Sequence, residues 1–236
     1  MKDRKPSARP SGGKRQHDRH DRPAGDRRTN DRPVGEARPA QRPAADNTPL
    51  ARAVAESLRV LREGGILLYP TDTVWGLGCD ATNPEAVQRI YDLKQSVNKK
   101  SMLVLCGSAD MVSRYVNRAP GIAYEVMEMA TSPLTLILPG AVGVAANLIP
   151  DEGTLGVRVP DHLFCQQLLR AFGRPIVSTS ANRSGQETPT RLQEVDRAIV
   201  DGVDYVVDPR CEGKPTRKAS SIVAFGEQGE VQVIRK

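Results

Sequence analysis

The densest concentration of reactive side chains is the run Tyr69-Pro70-Thr71-Asp72-Thr73-Val74-Trp75-Gly76-Leu77-Gly78-Cys79, which places two threonine hydroxyls, a carboxylate and two glycines directly after a strand signal. Glycines let a backbone approach a ligand closely, and hydroxyls with backbone N–H groups can hold a phosphate or an amino-acid head group. The pattern is not a P-loop, because G-x-x-x-x-G-K-[ST] is absent, and the residues alone fit a tight turn equally well. A second hydroxyl-rich stretch, Ser178-Thr179-Ser180-Ala181-Asn182-Arg183-Ser184-Gly185, again follows a strand signal and suits an oxyanion or the oxygens of a nucleotide. No G-x-S-x-G elbow surrounds these serines, so they do not read as nucleophiles. Lys94, Lys99 and Lys100 stand past a helix signal, where they fit either a solvated helix end or a cationic wall for a triphosphate. Arg158 lies inside an apolar strand pattern, where an unpaired charge is costly, so it is expected to face a partner or an anionic ligand.

These groups need elements to hold them. Thr48-Pro49 caps a helix with apolar residues at Val54, Leu58 and Leu61, and Gly64 stops it. Ile66 to Tyr69 reads as a strand. Asn83-Pro84 starts a second helix carrying Val87, Ile90, Tyr91 and Lys94 on adjacent turns. Strands are expected at Met102 to Cys106, Leu134 to Leu138, Leu155 to Val159, Pro175 to Ser178, Tyr205 to Val207, Ser220 to Phe225 and Val231 to Ile234. One or two helices fall within Ser108 to Met129, another spans Asp161 to Phe172, and Thr190 with Gln193 resembles the capping box of a short helix. Alternating strands and helices place the chain in the α/β or α+β class around one mixed sheet.

The 236 residues carry a formal charge of +6, but that charge is unevenly spread. Residues 1 to 47 hold 13 Lys/Arg against 7 Asp/Glu, and residues 48 to 236 hold 21 against 21, so the excess belongs to the first segment. That segment has no aromatic residue and only Met1 and Val34 as large apolar side chains, so it reads as a disordered Arg/Pro-rich tail joined to one folded domain, 48 to 236. An Arg-rich arm can bind RNA phosphates by releasing counterions, or can simply solubilise the chain. No apolar stretch approaches a membrane span and no secretory core opens the chain, so a soluble cytoplasmic protein is expected. Four dispersed cysteines and a single domain histidine, His162, argue against a disulfide framework, a zinc site or a histidine-based triad, and no metal site is expected.

In order and spacing, the first hydroxyl run, the helix ending Ile90-Tyr91-Asp92-Leu93-Lys94, the segment Pro133 to Gly140, then Gly156-Val157-Arg158-Val159-Pro160-Asp161-His162, Ser178 to Asn182 and Ser220-Ser221-Ile222-Val223 closely resemble the YrdC-type threonylcarbamoyl-AMP synthases. The resemblance covers about residues 50 to 236. It implies a single YrdC-like α/β domain, a twisted mixed sheet flanked by helices with a deep basic cleft. It further implies condensation of L-threonine, bicarbonate and ATP, with Mg2+, into threonylcarbamoyl-adenylate and pyrophosphate. That product serves N6-threonylcarbamoyl modification of the tRNA adenosine next to the anticodon, through a threonylcarbamoyl-transferase complex. By the same resemblance Thr73, Arg158 and Ser220 would bind threonine; Lys94, Lys100, Thr135, Ser178, Ser180 and Arg235 would bind ATP; and Lys94, Ser180 and Asn182 would be catalytic. The family pattern Lys-x-Arg reads Lys94-Gln95-Ser96 here, replacing a guanidinium with a hydroxyl that cannot reproduce its bidentate fork. The competing reading is a YrdC-like paralogue that binds nucleotide, tRNA or double-stranded RNA with lost or altered synthase activity.

Overall fold

Helix α1 (Pro49–Arg62) begins at the expected cap: the Thr48 hydroxyl accepts the Ala51 N–H at 3.1 Å, and Pro49 occupies the first turn, where its missing N–H costs nothing. The computed structural model describes residues 47–96 and 102–236, so the tail up to residue 46 and both Lys99 and Lys100 lie outside the described residues. Helix α2 (Pro84–Leu93) is capped in the same way, with Asn83 Oδ1 accepting the Ala86 N–H at 3.0 Å. Its C-terminus closes as a Schellman motif: the Gln95 N–H reaches Asp92 O and the Ser96 N–H reaches Tyr91 O, both at 3.0 Å. The residue at the turn, Gln95, has φ +50°, a left-handed backbone that costs a residue with a Cβ roughly 1–2 kcal/mol. Gln95→Gly is therefore expected to raise stability by about 0.5–1 kcal/mol after the added unfolded-state entropy is subtracted, read from the denaturant midpoint.

Strands β1 (Leu67–Tyr69), β2 (Gly76–Gly78), β3 (Leu103–Leu105), β4 (Leu134–Pro139), β5 (Thr154–Arg158), β6 (Ile176–Ser180), β7 (Tyr205–Val206), β8 (Ser221–Phe225) and β9 (Val231–Arg235) form one mixed sheet in the order β7-β1-β2-β6-β3-β5-β4-β8-β9. Helices α3 (Ala109–Ser113), α4 (Gly121–Met129), α5 (Leu163–Phe172) and α6 (Arg197–Gly202) complete the flanking layers. Three details depart from expectation. Strand β2 lies inside the run read as a loop; Gly-Leu-Gly carries no strand signature, and its conformation is imposed by pairing with β1 on one side and β6 on the other. Helix α6 was not anticipated. Thr190 does begin a capped turn, but its hydroxyl donates to the Glu194 carboxylate at 3.0 Å rather than engaging Gln193.

The alternation of side chains across the strands explains where the cleft lies. One face of the sheet buries Leu68, Leu77, Val104 and Val177 beneath α2 and the segments around it. On the other face Leu67, Tyr69, Leu105 and Ile176 pack under α1 and α5, together with Leu61 and Phe164. Ser178 and Ser180 share a face with Ile176 by period two, and Leu103 shares one with Leu105. The apolar residues nearer α5 are covered, whereas Leu103 and the two serines line an open cavity farther along the same face.

Candidate functional site

The cavity has a volume of about 210 Å3 and takes its lining from both hydroxyl-rich runs, from Arg158 on β5, and from Ser220 and Arg235 at the far side of the sheet. Among the described residues no carboxylate lines it, and its charged lining side chains are Arg158 and Arg235. An adjoining cavity of about 140 Å3 shares Leu103 and Ile222 with it and adds Thr135, Ile137 and Gly156, an apolar floor beside the polar one. Behind Asp72 lies a third cavity of about 480 Å3, lined by Glu128, Asp161, Lys214 and Thr216 among others.

The first run is organised around Thr73. Arg158 Nη1 donates to Thr73 Oγ1 at 3.0 Å, and Arg158 Nη2 lies 3.2 Å from Asp72 Oδ1; all three residues are more than nine-tenths buried. Thr71 Oγ1 donates to Val74 O at 2.8 Å and accepts the Thr73 N–H at 3.1 Å, so in its 2.8 Å contact with Thr73 Oγ1 it serves as the acceptor. The Thr73 hydroxyl proton is thereby committed to Thr71, and Thr73 offers the cavity a lone pair. The expected partner of Arg158 is now identified as Asp72 with Thr73. The two glycines differ in role. Gly76 lines the cavity, whereas a Cβ on Gly78 would fall 2.6 Å from both Val177 O and the Tyr69 ring, so Gly78 serves packing rather than ligand approach.

Lys94 stands at the C-cap of α2 and is buried, 7 % exposed. Its Nζ donates to the backbone carbonyls of Ser180 and Asn182, at 2.5 and 2.6 Å. Loss of hydration pulls its pKa from the ordinary lysine value down to about 8. It does not line the cavity; it braces the second hydroxyl run from behind. Asn182 also turns inward, donating to Arg183 O at 3.0 Å and Gln186 O at 2.8 Å, while its Oδ1 is buried with no hydrogen-bond partner among the described residues. Ser178 and Ser180 do line the cavity. Thr135 lines the apolar neighbour, its hydroxyl 2.7 Å from that of Ser220, and Arg235 donates from Nε and Nη2 to Ser220 O at 2.9 and 2.8 Å. His162 lies apart, its Nε2 2.9 Å from Glu212 O. Thr188 joins the lining although nothing in its sequence context marked it.

A family model described as telomere recombination, the Sua5/YciO/YrdC family, matches residues 59–236. The chain belongs to the Sua5/YciO/YrdC family. Among its relatives, a threonylcarbamoyl-AMP synthase of Idiomarina loihiensis is 37 % identical over 158 residues, covering 65 % of this chain and 85 % of the relative. One from Hahella chejuensis is 34 % identical over 166 residues, covering 69 % and 90 %. Among solved structures, E. coli YciO superposes with TM-score 0.67 at 25 % identity over 78 % of this chain and 89 % of its own. P. abyssi Sua5 complexed with L-threonine gives 0.68 at 26 % identity over 75 % and 52 %. The expected α/β architecture is that of the Sua5/YciO/YrdC family. No helix among the described residues is long and apolar enough to cross a membrane.

Proposed function

We propose that the protein is a nucleotidyltransferase that makes threonylcarbamoyl-AMP from L-threonine, bicarbonate and ATP. The observation that carries this reading is the cavity in which the buried Arg158–Asp72–Thr73 cluster faces the Ser178–Ser180 hydroxyls and Arg235, within a chain whose relatives bear that name. Thr73, with its proton committed elsewhere, presents an acceptor suited to the amine of threonine, and Ser220 closes the same pocket. The amine adds to CO2 with loss of a proton, or to bicarbonate with loss of water, to give a carbamate; a carbamate oxygen then attacks the α-phosphorus of ATP, and the bond to the β-phosphate breaks as pyrophosphate leaves. Such a substitution asks the protein for positioning and charge neutralisation rather than covalent chemistry. In this reading Ser178, Ser180 and Arg235 meet the nucleotide, the apolar floor with Thr135 takes its base, and Lys94 with Asn182 holds the serine run. Among the described residues no group of three metal-ligating side chains converges, so Mg2+ enters this proposal on the phosphates of ATP, as part of the substrate. The adenylate would pass to a transferase acting on the tRNA adenosine next to the anticodon, in the cytoplasm.

The test is pyrophosphate release from ATP by the purified full-length chain. Release that requires both threonine and bicarbonate is expected. Release independent of either overturns the proposal, as does no release at all. Tail-dependent RNA binding without turnover would favour the RNA-binding reading.

A further inference from the structure

Among the described residues β9, at one end of the sheet, is paired with β8 on one side only. Gly226 donates to Glu230 O at 2.8 Å, and counting along the ladder from that hydrogen-bonded pair makes Ala224–Gln232 the next one, with the non-hydrogen-bonded pairs Phe225–Val231 between the two and Val223–Val233 just beyond. The N–H and C=O groups of Val231 and Val233 therefore point away from β8, toward the free edge. Their side chains are 60 % and 54 % exposed, and that of Ile234 is 50 % exposed. Sheet edges are usually blunted by charge, proline or a covering segment. Val231 to Ile234 contains neither charge nor proline, and the register shift in the β8–β9 ladder falls past Val233.

We propose that this edge pairs with β9 of a second copy of the chain, antiparallel about a two-fold axis at Gln232. A two-fold perpendicular to the sheet keeps every side chain on its own face, so only registers centred on a residue are allowed. Centring on Gln232 sets Val231 opposite the partner's Val233 and Val233 opposite the partner's Val231. Both outward-facing residues of each strand then form hydrogen-bonded pairs, and the four valines gather on one face. In that register Glu230 falls opposite the partner's Ile234 and diagonal to the partner's Lys236, so an acidic residue meets a basic one at both ends. Two short strands bury less than the roughly 1,200 Å2 of a stable interface, so the dimer dissociates on dilution. Pairing also steadies the strand that carries Arg235, which holds Ser220 O beside the cavity.

Sedimentation of the full-length chain is expected to show a dimer that dissociates on dilution, and the double variant Val231→Lys, Val233→Lys should be monomeric with an unchanged melting temperature. A second measurement does not depend on that variant folding. Gln232 faces its own copy across the axis, where opposed Cβ atoms lie about 4.5–5.5 Å apart, at the edge of disulfide reach. Gln232→Cys should therefore oxidise to a covalent dimer faster than Val233→Cys, whose position opposes the partner's Val231. The four native cysteines are buried and contribute no background. A wild-type chain that stays monomeric at every concentration overturns the proposal, as does Gln232→Cys oxidising no faster than Val233→Cys.

Discussion

Replacing Lys94 by methionine is expected to lower turnover by roughly a hundredfold, because misplacing reacting groups by about 1 Å carries a penalty of that order. The lysine joins the end of α2 to the backbone of Ser180 and Asn182, and methionine keeps the length of its stem while removing both hydrogen bonds. The same residue makes a pH-dependent contribution whose sign is fixed by its environment. Its folded pKa is about 8, against the ordinary lysine value of 10.5, so between these two values the unfolded chain binds more protons than the native one. Stability attributable to Lys94 therefore rises as pH increases from about 8 to 10.5, and the cost of the buried ammonium is fully present below pH 8. Denaturant midpoints of wild type and Lys94→Met, compared across that window, should move apart in favour of the wild type as pH rises. A constant difference would mean that the ammonium is not penalised by burial. Turnover of the wild type should meanwhile fall above pH 8 if the charge on Nζ is needed to hold the two carbonyls.

What could be read beforehand and what could not divides along sequence separation. Thr48-Pro49 and Asn83-Pro84 announced their helices because capping is local: donor and acceptor lie within one turn. The hydroxyl runs were visible as composition, and their placement after strands followed from the same local signals. Strand β2 was not legible, since Gly76 and Gly78 carry no strand preference and the strand is held by pairing with β1 and with Thr179 and Ser180 of β6, about a hundred residues away in sequence. Nor could sequence show that Lys94 donates to backbone carbonyls 86 and 88 residues further on, or that Arg158 lies on Thr73 across 85 residues. A buried cation announces that a partner is required, but only the fold selects it. Ser96, where the family pattern has an arginine, lies at the end of the Schellman turn, and its N–H closes that turn on Tyr91.

Arg158→Met is expected to destabilise the protein by about 3–5 kcal/mol, because it leaves the Asp72 carboxylate buried without its counter-ion. Asp72 is 8 % exposed, and among the described residues its carboxylate otherwise accepts a long 3.4 Å bond from the Asp161 N–H, too weak to carry a charge alone. The magnitude belongs to the broken pair rather than to the intact one, so removing both charges should undo most of the loss: the double variant Arg158→Met, Asp72→Asn is expected to recover the greater part of the stability in a thermal or denaturant melt. Activity should not follow. Once the guanidinium is gone nothing holds Thr73 Oγ1 from the β5 side, and the lone pair it presents to the cavity is no longer held in a fixed direction. The double variant should therefore melt near the wild-type temperature yet show a KM for threonine raised by tenfold or more, the equivalent of one charge-assisted hydrogen bond of about 1.5–3 kcal/mol. Arg158→Lys should fall between, since one ammonium cannot span both Asp72 and Thr73 in the geometry of the fork. Stability and threonine affinity recovering together in the double variant would show that the arginine acts only as a structural counter-ion, and would remove Thr73 from the threonine end of the proposed site.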